Sequence, residues 1–259
     1  MNKKAHNLSS GSTSLPKKRS GVGYLFHGLS LAIQPGIKRF VMIPLLANIL
    51  VIGSTLYYLM TNLNGWIDDM LSGLPTWLDW LSYVLWPLLA ITLFIAFGYV
   101  FSTIANAIAA PFNGLLSEKV EAHLLGDTTT DNSSVSDMIK EIPRSLGREL
   151  QKLKYTLPRT IGLFLFLLIP GLGQTIGPFI WFAFGSWMWA IHYIDLPFDN
   201  NQSSFTDSKQ WIKQRKTKAL TFGSLITLGT AIPFLNLFIM PIAVCGATSL
   251  YVSEYRQDK

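Results

Sequence analysis

Four long stretches of the chain, Phe40–Trp66, Trp80–Ser117, Thr160–Ile194 and Ala219–Ser253, contain no Asp, Glu, Lys or Arg. A bilayer core about 30 Å thick takes roughly 20 apolar residues of helix, at about 1.5 Å per residue. The first stretch suits one crossing and the second is longer than one. In lipid every backbone N–H and C=O must be satisfied within the protein, which leaves helices or a closed barrel. These runs are continuous rather than alternating, so helices are predicted.

The third and fourth stretches have basic residues on both flanks, so each must enter and leave on one side. Helix-ending residues interrupt both: Pro170, Gly171, Gly173, Gly177 and Pro178 in the third, and Pro233, Asn236 and Pro241 in the fourth. Two arms of roughly 15 residues, about 23 Å each, fall short of a full crossing. Partly penetrating hairpins are the reading adopted, with two thin crossings per run as the alternative. Interrupted segments in pairs point to a transport site, although Gly and Pro are also common in membrane helices generally. Tyr24, Leu25, Leu29, Ala32 and Ile33 repeat at helical spacing and predict a short interfacial helix. Met138–Leu153 is also amphipathic, with Ile142, Leu146, Leu150 and Leu153 opposite Lys140, Arg144, Arg148 and Lys152. Pro143 is expected in its first turn, and its basic face is expected to be solvated or to rest on lipid.

The fold class predicted is therefore an all-α integral membrane protein. It has two long transmembrane helices, two Gly/Pro-broken, partly penetrating hairpins, and interfacial amphipathic helices. Residues 1–20 read as a flexible basic arm without the apolar core of a cleavable signal, and 21–256 as a single membrane domain. Charge sets the orientation. The loop after the first stretch carries Asp68, Asp69 and Asp79 and no base, whereas the bases cluster before the first stretch and in the loops flanking the third. The positive-inside rule places both termini and both long polar loops in the cytoplasm, with dual topology as a further possibility. The lone Cys245 lies in an apolar run, so no intramolecular disulfide is expected.

The sharpest polar constellation is Gln34-Pro35-Gly36-Ile37-Lys38-Arg39 at the start of the first span. Pro-Gly makes a turn, and a helix N-terminus offers N–H groups and partial positive charge. Gly36 permits close approach, and Lys38 and Arg39 add two charges suited to an oxyanion. The same pair also reads as an ordinary positive-inside flank. Ser102, Asn106, Asn113 and Glu118 form a second set, either lining a pore or tying helices together; Arg144 or Arg148 is the expected partner of Glu118. Gly171-Leu172-Gly173-Gln174 either presents N–H groups to an anion or simply makes the hairpin turn. There is no G-x-x-x-x-G-K-[ST] loop and no H-E-x-x-H motif, and His6, His27, His123 and His192 lack metal-ligand spacing. No enzyme activity, cofactor, metal or nucleic-acid partner is expected.

Several motifs then resemble a known family. They are the Gln34–Phe40 segment, Ile108-Ala109-Ala110-Pro111-Phe112-Asn113-Gly114-Leu115-Leu116, Ile169–Gln174, Asp195-Leu196-Pro197-Phe198-Asp199-Asn200 and Asn236–Thr248. Together, over about Gly21 to Arg256, they resemble the CysZ family of bacterial sulfate transporters. The resemblance implies a permease taking up sulfate across the inner membrane for cysteine synthesis, working among membrane lipids as a homo-oligomer of two or more protomers. It also implies a sulfate site at Gly36, Ile37, Lys38 and Arg39. Relatives carry two Arg at the basic pair; Lys38 keeps the charge but lacks the planar fork. The alternative function is a non-transporting membrane scaffold or assembly factor.

Overall fold

The computed structural model describes residues 17–72, 83–84, 86–88, 90–93, 112–127 and 135–257. Among these, every regular element is helical. Most of the expected second span, with Ser102 and Asn106, lies outside them. The helices are α1 (Gly21–Ala32), α2 (Lys38–Leu71), α3 (112–125), α4 (Val135–Leu167), α5 (Leu172–Thr175), α6 (Gly177–Asn200), α7 (Phe205–Gln214), α8 (Lys216–Thr230) and α9 (Pro233–Leu250), which ends in a π-helical turn, Tyr251–Tyr255. The chain divides into two compact units, one of Met1–Lys38 with Gly114–Lys259 and the other of Arg39–Asn113.

In the second unit α2 is the dominant helix. Its segment Lys38–Trp66 has a mean hydropathy of 2.0 and buries little, leaving Ile43, Leu46, Leu50, Tyr57 and Met60 exposed. A helix that is apolar on all sides and largely uncovered suits lipid rather than water. Pro44 lies inside it without ending it.

In the first unit α1 lies along α9, and α6 packs on α8 and α9. Glycines make these approaches close. A methyl group at Gly28 would overlap the carbonyl of Ile242 and the backbone of Gly246; one at Gly223 would overlap the carbonyl of Ser186. This contact orients α1. Tyr24, Leu25, Gly28, Leu31 and Ala32 are buried, while Leu29 and Ile33, expected on the same face, point outward. Ser20 caps α1, its Oγ accepting from the Gly23 N–H at 3.1 Å, and Ser204 caps α7 in the same way at 3.1 Å. Among the described residues, the second helix long and apolar enough to cross a membrane is Leu235–Tyr255, of which 61% is buried against its neighbours.

Three local expectations change. The amphipathic segment and the first arm of the third stretch are one continuous 33-residue helix, α4, with Pro143 as its ninth residue rather than in its first turn. A helix of that length tolerates the loss of one backbone bond. In the fourth stretch the chain breaks at Ala231–Ile232, with Pro233 opening α9; Asn236 and Pro241 lie inside that helix. Proline at N1 costs no hydrogen bond, so it starts the helix it had been expected to break. The faces of α4 are also inverted relative to the expectation. Arg148 and Lys152 are buried against the protein, whereas Leu150 and Leu153 are 57% and 52% exposed. The cause is a buried carboxylate on α6, Asp195.

Candidate functional site

The turn before α2 is built from its backbone outward. Gln34 N–H bonds to the Leu31 carbonyl at 3.0 Å as α1 ends, and the Gln34 carbonyl accepts from Ile37 N–H at 3.2 Å and Lys38 N–H at 3.0 Å. Gly36 sits at φ +91°, a conformation other residues adopt only with strain, and a Cβ there would meet nothing within 4 Å. The glycine is needed for backbone shape and leaves the turn open on that side. Ile37 is 2% exposed and anchors the turn, whereas Lys38 is exposed. Arg39, the first residue of the other unit, is exposed and stands over the Phe40 ring at 4.9 Å.

Asn113 and Glu118 both lie on α3, with Asn113 in the second unit and Glu118 in the first. Glu118 lines a cavity of about 320 Å³ with Glu121, Asn200, Asn201 and Arg256. Its expected partner Arg148 is committed elsewhere, and Arg144 lies 3.8 Å from Asp199; the cation in this cavity is Arg256. Arg256 pairs with Glu121 at 2.9 Å, and Asn201 bonds to both, donating to Glu121 at 2.8 Å and accepting from Arg256 at 2.7 Å. Burial pushes the Glu121 carboxyl above its ordinary range in spite of Asn201 and Arg256.

Two further buried carboxylates complete the polar framework. Asp195, wholly buried, takes both arms of Arg148, the Nζ of Lys152 at 3.3 Å and the hydroxyl of Ser208. Burial opposes its charge, but these donors hold its carboxyl below the usual range. Glu254, in the π-turn, takes Lys218 at 2.5 Å, Arg215 at 3.3 Å and the hydroxyl of Tyr24 at 2.9 Å. Burial, together with the Glu254 charge, pushes the Tyr24 phenol up to about 12. Sequence reasoning named Asp195 only within a motif, with no role of its own, and did not single out Glu254. The available signal was position, since each is the first charged residue after a charge-free stretch and faces a basic loop in sequence.

At the first hairpin the glycines serve the turn. Gly171 has φ +80°, and a Cβ on Gly173 would overlap the carbonyl of Leu167. The N–H groups of Leu172, Gly173 and Thr175 bond to Pro170, Ile169 and Gly171.

Among the described residues these features define an all-helical protein with two helices long and apolar enough to cross a membrane, whose buried charges collect where its apolar helices end. The family described as "Sulfate transporter CysZ/Etoposide-induced protein 2.4" matches residues 24–241. A Vibrio cholerae protein named "Sulfate transporter CysZ" is 54% identical over 238 residues, covering 92% of this chain and 95% of that protein. Proteins of the same name from Vibrio parahaemolyticus and Pectobacterium atrosepticum are 51% and 52% identical, covering 94% and 92% of this chain and 98% and 86% of their own. The chain belongs to the CysZ sulfate transporter family, a family of transporters rather than enzymes.

Proposed function

We propose that this protein is a permease importing sulfate across the bacterial inner membrane for assimilation into cysteine. The observation that carries this is the similarity to proteins named as sulfate transporters, which extends over nine-tenths of the chain. The turn before α2 supplies suitable chemistry. Sulfate is a tetrahedral dianion that only accepts hydrogen bonds. Lys38 and Arg39 stand consecutively where α2 begins, after a glycine whose surroundings are open. In this reading Gly36 gives access, Ile37 anchors the turn, and Lys38 and Arg39 hold the anion. Asn106, Asn113 and Glu118 line the onward path, with Arg256 offsetting the acidic charge near Glu118.

The hairpins are read as entering the bilayer from the cytoplasmic side without crossing it, the shorter arm of each setting the depth although Leu235–Tyr255 is by itself long enough to cross. Beyond Arg159 the charge-free end of α4, Thr160–Leu167, is about 12 Å long, under half of a core about 30 Å thick. A turn at that depth needs every backbone group satisfied. Leu168 and Ile169 donate to Leu165 and Phe166 at 3.2 and 3.1 Å, and at the other tip Ala231 and Ile232 donate to Thr227 and Gly229. Both termini then face the cytoplasm, and the working unit is a homo-oligomer.

Labelled-sulfate binding to the purified protein tests the site. Lys38→Ala/Arg39→Ala is expected to weaken binding by about a hundredfold or more, the worth of two charge-assisted contacts. Unchanged affinity in that variant removes this turn from the mechanism.

A further inference from the structure

A second cavity, of about 300 Å³, lies between α4 and α6 and shares no residue with the proposed sulfate path. Its walls are divided by chemistry. Glu149 and Lys152 supply charge, Thr156 a hydroxyl, His192 an imidazole held neutral by burial, and Leu153, Met188, Trp189 and Ile191 an apolar surface. We infer that this cavity seats a phospholipid carrying a primary ammonium group, a phosphatidylethanolamine, with its headgroup at the charged end and its upper acyl chain at the apolar end.

Depth is the first argument, and it rests on the hairpin reading above. The cavity lies just before the charge-free part of α4, beside Lys154 and Arg159 in sequence. Aromatic residues gather at the same level. The Trp187 indole donates to the Tyr155 hydroxyl at 3.3 Å, and Trp189 lines the cavity. Trp and Tyr favour the headgroup layer of a bilayer.

Charge balance is the second argument. Asp195 is already matched by Arg148 through two hydrogen bonds, at 2.9 and 2.6 Å. Lys152 reaches Asp195 at 3.3 Å and Glu149 at 2.8 Å, so the four charges cancel. A net anion would face Glu149, and a net cation would face Lys152. A zwitterion satisfies both. Lys152 is buried between two carboxylates, while Glu149, its partner at 2.8 Å, is 52% exposed and can reach solvent and lipid. A phosphate oxygen therefore meets the Lys152 ammonium, and Glu149 turns to accept from the lipid ammonium. That last contact selects the headgroup, because a primary ammonium has three N–H donors and a trimethylated one has none. The exposed edge of Leu153 and the Met188 side chain then line the route of the acyl chain.

The test uses the full-length protein in detergent, with phosphatidylethanolamine, phosphatidylcholine and phosphatidylglycerol of identical acyl chains. Retained lipid is counted by native mass spectrometry, alongside the unfolding temperature. Phosphatidylethanolamine is expected to bind about tenfold tighter than the other two, the worth of one charge-assisted hydrogen bond. Glu149→Ala, on an exposed side chain, removes the acceptor and is expected to erase that preference, and Met188→Trp to block binding by filling the cavity. Equal retention of the three lipids overturns the inference. So does a preference that survives Glu149→Ala, which decides the matter even if Met188→Trp fails to fold. The hairpin reading fails separately, by reaction of Leu168→Cys with a membrane-impermeant thiol reagent in liposomes.

Discussion

Arg148 grips Asp195 with two parallel hydrogen bonds, Nε to Oδ2 at 2.9 Å and Nη2 to Oδ1 at 2.6 Å, and its third nitrogen donates to the Ser203 carbonyl at 2.7 Å. This planar fork joins the long helix α4 to the end of α6 and the start of α7. It also turns the basic side of α4 inward and leaves Leu150 and Leu153 facing out.

Asp195→Ala strands the buried Arg148 and leaves Lys152 with Glu149 alone. Removing one partner of a buried pair costs about 3–5 kcal/mol, and a fall of that size is expected in detergent unfolding. The pH dependence has a definite sign. Because the folded carboxyl titrates below its unfolded value, its stabilisation is present above the ordinary Asp range and is lost as pH falls through the folded value. Part of the protein's acid lability is therefore expected to disappear in Asp195→Asn.

Glu121 has the opposite sign. Its folded carboxyl titrates above the ordinary range, so ionisation at neutral pH opposes folding, and stability from this group rises as pH falls through the raised value. Glu121→Gln keeps an acceptor for Arg256 and removes the buried charge. The variant is expected to be at least as stable as the parent at neutral pH and to lose that rise on mild acidification; unfolding midpoints across the window just above the ordinary carboxylate range check this.

Gly246 carries the crossing of α1 and α9. A Cβ there would stand 2.7 Å from the Tyr24 carbonyl, against backbone that cannot turn aside. Gly246→Ala is expected to cost about 1–3 kcal/mol, in the manner of an overpacked core. Gly53→Ala, in the interior of α2 with nothing within 4 Å, is expected to be neutral or stabilising by up to about 1 kcal/mol. Thermal unfolding of the two variants side by side separates packing from backbone effects.

Lys38→Arg places a planar guanidinium fork at this position. It is expected to hold or tighten sulfate binding, by roughly up to tenfold for one added charge-assisted bond. Gly36→Ala keeps both charges but strains the left-handed turn by about 1–2 kcal/mol, so it is expected to weaken binding although the net charge is unchanged. Equilibrium binding at fixed ionic strength measures both.

Much of this architecture is written in the spacing of charges. The charge-free stretches mark α2 and both hairpin regions, and Gly171 and Pro233 mark where the hairpins turn. The Gly36 turn is legible too, since Pro-Gly before a basic pair has few other uses. What a single sequence hides is which side of an amphipathic helix faces in. The basic side of α4 looked solvated because its partner, Asp195, lies 47 residues away from Arg148, at the end of a stretch read only for its lack of charge. The outward turn of Leu29 and Ile33 was hidden for a similar reason: the face of α1 is chosen by Gly28 meeting Gly246, a contact between two residues without side chains. Pro241 misled because a proline inside a packed membrane helix need not end it.

The central claim is that this chain alone moves sulfate through a path that begins at Lys38 and Arg39. Uptake of labelled sulfate into liposomes containing only the purified protein tests it most directly, with empty liposomes and the Lys38→Ala/Arg39→Ala protein as comparisons. Uptake above empty liposomes, lost in the double variant, is the predicted result. Uptake no greater than in empty liposomes, with the protein folded and with or without a pH step across the membrane, would contradict it.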